Sequence, residues 1–158
     1  MGPATNNERE RTMSDFTTTF VVEQTPEEAF QAITNPRGWW SENIKGTTDK
    51  LGEEWTYSYK DAHRCLLKLT ESVPGKKVVY HILENYFDFT EDKTEWIGTD
   101  LIFDISDKDG KTEVNFKHQG LVPEYECYDL CSSSWGSYVN GSLRALIRTG
   151  EGRPNPKE

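Results

Sequence analysis

Residues 123–150, PEYECYDLCSSSWGSYVNGSLRALIRTG, constrain the fold more than any other stretch of the chain. Tyr128, Cys131, Trp135, Tyr138, Val139, Ser142, Leu143 and Leu146 recur at spacings of three and four, which places them on one helical stripe. Pro123 suits a first helical turn, where its missing N–H is not needed. Gly150 follows the last apolar residues, where a left-handed C-terminal cap belongs. The spacing therefore predicts one long helix, roughly 39 Å at about 1.5 Å per residue. A stripe of that length needs a broad apolar surface, and the preceding residues must supply it.

They supply strands. Phe16–Glu23 alternates, with Phe16, Thr18, Phe20 and Val22 on one face. Thr25-Pro26-Glu27-Glu28 opens a short helix with a capping box, and Asn35-Pro36 ends it. Trp39 and Trp40 are adjacent, so on a regular element they face different ways: one packs, and the other meets a cavity or solvent. Glu54–Lys60 sets Trp55, Tyr57 and Tyr59 on one face. His63–Val73 does so with Cys65, Leu67 and Leu69, and Lys77–Glu84 alternates Val78, Tyr80 and Ile82. Residues 85–93 read as a loop or short edge strand. Thr94–Asp107 reads as the longest strand, with Ile97, Leu101, Phe103 and Ile105 inward and a bulge or bend at Gly98. Asp109-Gly110 turns the chain into Lys111–His118, where Val114, Phe116 and His118 share a face. Strands clustered between helical segments imply an α+β fold on an antiparallel sheet. A single domain spans residues 14–150. Residues 1–13 read as a flexible leader or a vector-derived extension, and residues 151–158 as a polar tail.

Composition narrows the function classes. A net charge of −9 over 158 residues argues against nucleic-acid or anionic-membrane partners held by bulk charge. No apolar run is long enough for a transmembrane helix, and no signal peptide is visible, so a cytoplasmic location is expected. Three cysteines, Cys65, Cys127 and Cys131, form no disulfide framework. No nucleotide fingerprint, nucleophile elbow or metal-ligand spacing is present, so no metal, cofactor or catalytic residue is expected.

The TPEEAF helix start, the adjacent tryptophans, the EWIGT segment and the run from Phe116 to Pro156 together resemble a known family. This is the bacterial SRPBCC group related to the C-terminal domain of the activator of the ninety-kilodalton heat-shock chaperone's ATPase. The resemblance covers roughly residues 14–156. It implies a START-like, birch-pollen-allergen-like helix-grip fold: a curved antiparallel sheet, two short N-terminal helices, and a long C-terminal helix packed across the sheet, often over a cavity. The activators carry an additional N-terminal chaperone-binding domain for which these residues leave no room.

Alternation turns Trp55, Tyr57, Tyr80 and His118 toward the long helix, which offers Trp135 and Tyr138 in return, with Trp40 and Trp96 at the rim. These rings either fill a core or line a pocket for a small hydrophobic or aromatic ligand. His118 is a core histidine or the polar anchor of that pocket. Gly136, at the stripe's edge, has room for a second backbone or a ligand. The resemblance adds two further roles: an interaction module with a chaperone or a second copy as partner, and a polyketide cyclase or aromatase-type enzyme. The enzyme needs at least two acid/base groups, and His118 is the one the sequence nominates.

Overall fold

The structure, a computed structural model, describes residues 15–93 and 95–157; the expected leader lies outside them. Seven strands form one curved antiparallel sheet. They are β1 (Phe16–Val22), β2 (Ile44–Gly46), β3 (Glu54–Tyr59), β4 (His63–Val73), β5 (Lys77–Phe87), β6 (Asp100–Lys108) and β7 (Lys111–Gln119). Their order across the sheet is β1-β7-β6-β5-β4-β3-β2, so β1 and β2 form opposite edges. The connection between those edges crosses the sheet, carrying α1 (Pro26–Ile33) and a single 3₁₀ turn (Pro36–Gly38). The capping box is formed: Thr25 Oγ1 accepts from Glu28 N at 3.1 Å, and Glu28 Oε1 accepts from Thr25 N at 3.0 Å.

Alternation placed the inward residues of the sheet well. Trp55, Tyr57, Cys65, Leu67, Leu69, Val78, Tyr80, Ile82, Leu101, Phe103, Val114, Phe116 and His118 are all buried. Each large apolar side chain taken fully from water contributes about 1.5–3 kcal/mol, so this face carries much of the stability.

The strand ends depart from expectation. β5 continues through Phe87 rather than giving way to a loop after Glu84. β6 begins at Asp100, because Gly98 adopts φ 83° in a turn and leaves Ile97 exposed. Gly98 N donates to Ile82 O and Ile82 N to Thr99 O, both at 2.9 Å, so two residues stand opposite one and the left-handed glycine forms the expected bulge just before β6. Further bulges lie between β4 and β5, at Leu66/Leu67 and Leu69/Glu71. Trp39 and Trp40 are both buried and stack at 6.1 Å, contrary to the expected division. The 3₁₀ turn before them breaks the regular phase on which that division rested.

The C-terminal helix covers 22 residues and starts at Tyr128, not Pro123. Residues 123–127 form turns. Cys127 offers no side-chain cap; the Glu95 carboxylate, from the β5–β6 connection, accepts from Glu126 N at 2.8 Å and Cys127 N at 3.2 Å instead. A carboxylate at a helix N-terminus satisfies free N–H groups and opposes the helix dipole favourably. After α2 (Tyr128–Trp135) the helix widens to π geometry over Gly136–Leu143, then closes as α3 (Arg144–Thr149). A π segment uses i→i+5 bonds and delays the phase. Accordingly Ile147 is buried where the regular period favoured Leu146, which is half-buried. A Cβ at Gly136 or Gly141 would meet nothing within 4 Å, so among the described residues no other element packs closely on either glycine and the space beside each is open. Gly150 takes φ 85° and caps the helix as expected.

Residues 151–157 lie against the fold. Asn155 bridges Ser41 in parallel, its N–H donating to Trp40 O at 3.0 Å and its carbonyl accepting from Glu42 N at 2.9 Å. Gly152 approaches Gly38 so closely that a Cβ would overlap the Gly38 carbonyl oxygen.

Candidate functional site

Two concavities compete for attention. The larger, about 690 Å³, lies over the outward side chains of β3–β5, including Thr56, Ser58, Arg64, Leu66, Glu84 and Tyr86. It is a polar groove of mixed charge, with the Arg64 guanidinium stacked 4.2 Å from the Tyr86 ring. The smaller, about 100 Å³, opens between the sheet and the C-terminal helix. Its walls are Tyr57, Tyr59, His63, Phe87, Phe89 and Trp96 from the sheet side, and Leu130, Cys131, Ser134, Trp135 and Tyr138 from the helix. Ligand sites favour apolar, aromatic walls with a few polar groups, and the smaller opening has that character. Phe89 and Leu130 stand at its entrance, 46% and 57% exposed.

The eight ring residues named from the sequence fall into two layers. Tyr57, Trp96, Trp135 and Tyr138 line this mouth. Trp40, Trp55, Tyr80 and His118 are buried and do not. Trp40 is not at the rim: it stacks on Tyr57 at 4.1 Å and lies 5.2 Å from Trp135. Trp55 meets Tyr80 edge-on at 5.1 Å, and the Tyr80 hydroxyl donates to Thr48 O at 2.7 Å. Trp96 is also buried, stacked on Trp135 at 5.6 Å with His63 and His118 edge-on to it at 4.7 and 4.8 Å.

Both nitrogens of His118 are committed within the protein. Trp135 Nε1 donates to Nδ1 at 3.0 Å, which leaves the hydrogen on Nε2. Nε2 donates to Thr99 Oγ1 at 2.8 Å, and Thr99 Oγ1 donates to Trp96 O at 2.6 Å. Burial, and secondarily His63, pushes the His118 pKa down to about 3. His118 therefore offers no nitrogen to a ligand in the anchoring role the sequence suggested for it.

His63 was not singled out by the sequence, because alternation along β4 did not reveal what faced it across the sheet. Its Nε2 lies 2.8 Å from Asn85 Oδ1 and 3.1 Å from Cys65 Sγ. Burial lowers its pKa to about 4 and pushes the Cys65 thiol up. Tyr57 is held protonated by burial, and Cys131 by a hydrogen bond with Cys127 together with burial. The Trp96 indole N–H is occluded without a regular hydrogen bond, the Cys131 sulfur lying beside it. Among the described residues no group of three or more His, Cys, Asp or Glu could hold a metal, and no helix is long and apolar enough to cross a membrane.

The family model described as Activator of Hsp90 ATPase homolog 1-like protein matches residues 23–148. No curated protein matches the chain. The fold is similar to the Aha1 dimer from Colwellia psychrerythraea, with TM-score 0.70 and 20% identity over 87% of this chain and 98% of that one. It is similar to protein MLL2253 from Mesorhizobium loti, with TM-score 0.68 and 14% identity over 84% and 96%. It is also similar to DynU16, from the dynemicin biosynthetic locus, with TM-score 0.65 and 12% identity over 91% of this chain and 51% of that one.

Proposed function

The chain belongs to the Activator of Hsp90 ATPase homolog 1-like family, and from the geometry of its mouth we propose that it binds a small aromatic or apolar group between the sheet and the C-terminal helix. The observation that carries this reading is the aromatic opening itself, flanked by the exposed side chains of Phe89 and Leu130. Its size sets the ligand. A drug-sized molecule fills roughly 300–1,000 Å³, whereas an apolar cavity of about 150 Å³ holds benzene. An opening of about 100 Å³ admits at most one ring, the remainder of the molecule resting outside on Phe89 and Leu130. Three side chains of the mouth are shifted: burial lowers the His63 pKa to about 4 and pushes Tyr57 up, and a hydrogen bond with Cys127 together with burial pushes Cys131 up. General acid–base work favours groups whose pKa lies near the operating pH, and these three are displaced from it, so the reading is of binding rather than catalysis.

Ser134 lines the opening and is half-buried. Ser134→Phe is expected to fill it, abolishing the thermal shift that single-ring ligands produce while leaving the far-ultraviolet dichroism unchanged. Undiminished binding in that variant sinks the location. Native mass spectrometry of protein from its own host identifies a retained molecule directly.

A second reading draws on the same entrance. Phe89 and Leu130 are half-exposed and apolar, and one similar structure is a dimer; two copies of this chain meeting through the entrance would cover both. Leu130→Glu is then expected to convert a sedimenting dimer to monomer. A wild-type chain monomeric at high micromolar concentration removes this reading.

A further inference from the structure

His63 forms a cluster with Cys65 and Asn85 that contains the residue types of a thiol hydrolase, yet its geometry is different. Cys65 Sγ and Asn85 Oδ1 both meet the same ring nitrogen, Nε2, at 3.1 and 2.8 Å. An activated thiol needs its base on one ring nitrogen and the orienting group on the other. Here both partners crowd one side of the ring and leave the other free.

The hydrogen positions follow from the amide. Asn85 Nδ2 donates to Lys93 O at 3.3 Å, which fixes Oδ1 as the acceptor facing the cluster. Cys65 Sγ donates to that oxygen at 3.0 Å. His63 Nε2 therefore carries the ring hydrogen and donates to it as well. Nδ1 is left with a lone pair. Among the described residues nothing hydrogen-bonds to it, and it is not among the occluded polar atoms that lack partners. His63 lines the opening between sheet and helix. An imidazole with its tautomer set by its neighbours presents an oriented acceptor beside the rings of Phe87 and Trp96.

We propose that His63 is the polar anchor of this opening, and that the ring it selects bears a neutral O–H or N–H donor, as a phenol does. This rests on the reading of the opening as a ring-binding site. The donor reaches Nδ1 while the ring packs against Phe87 and Trp96, which meet His63 at 4.4 and 4.7 Å. An apolar ring of the same size gains the packing but leaves the lone pair unpaired on desolvation.

Phenol, anisole and toluene, titrated into the full chain by calorimetry and followed by nitrogen NMR of the histidines, test the assignment. Phenol is expected to bind about tenfold more tightly than the other two, with the His63 Nδ1 resonance moving on its addition alone. In His63→Phe the three ligands are expected to bind within about twofold of one another. Equal affinities in the wild type overturn the anchor and leave the opening standing. Binding by none of the three overturns the opening, and the anchor with it. A phenol preference that survives in folded His63→Phe also overturns the anchor. If that variant does not fold, the wild type decides: a phenol preference with an unmoved Nδ1 resonance counts against His63.

Discussion

His118→Ala is expected to lower the free energy of unfolding by about 3–5 kcal/mol, from truncation of a buried ring and loss of its hydrogen bonds. The residue is 0% exposed and links two elements through both nitrogens. Alanine leaves a void beside Trp96 and Trp135 and strands the Trp135 indole N–H, whose acceptor is His118 Nδ1. It also removes a donor from the Thr99 hydroxyl, which still donates to Trp96 O. Two costs therefore add: lost packing, and a buried donor without an acceptor. Urea unfolding at neutral pH measures the sum. A loss below about 1 kcal/mol would mean that the site collapses around the missing ring. Ligand affinity of the folded fraction separates structure from recognition, because a bridge with no free nitrogen has nothing to offer a ligand directly.

The second large effect is acid sensitivity. His63 and His118 have pKa values lowered from 6.5 to about 4 and about 3, chiefly by burial. Above the unfolded value both are neutral in either state, and pH has no leverage through them. As pH falls below 6.5 the unfolded chain gains two protons that the native state refuses, so stability falls, and it continues to fall until the folded values are reached. The slope is about 1.4 kcal/mol per pH unit for each ring, or roughly 2.5–3 kcal/mol for both between about pH 7.5 and about pH 5.5. Denaturant titrations at those two pH values check the sum, and histidine NMR titrations check the assignment. A histidine in this pair titrating near its ordinary value would remove its share.

The sheet was legible because its alternation is strict: Val114, Phe116 and His118 occupy the inner face as their period requires. The capping box at Thr25 and the left-handed cap at Gly150 were legible because both are local chemistry. The start of the C-terminal helix was not, since its cap comes from Glu95, some thirty residues earlier. Nor was the π segment, because a change of hydrogen-bond period leaves no mark in composition. The candidate site divides in the same way. Tyr57, Trp135 and Tyr138 were recoverable as inward rings, but which rings enclose space and which fill it depends on how Trp40 stacks beneath Tyr57. His63 became visible only once β4 and β5 were in register, which brings Asn85 opposite Cys65.

The final residues carry a practical consequence. By composition they invite removal, yet the Asn155 amide donates to the Tyr138 hydroxyl at 2.9 Å, and Tyr138 is a wall of the opening. Arg153 N donates to Ser142 Oγ at 2.6 Å on the same helix. A shortened version of this protein, or one with a bulky fusion forced against Gly152, would have a re-shaped entrance. Ligand profiles gathered on such versions would describe the trimming as much as the protein, and screens are best run with the carboxyl-terminal segment intact and any affinity handle placed at the other end.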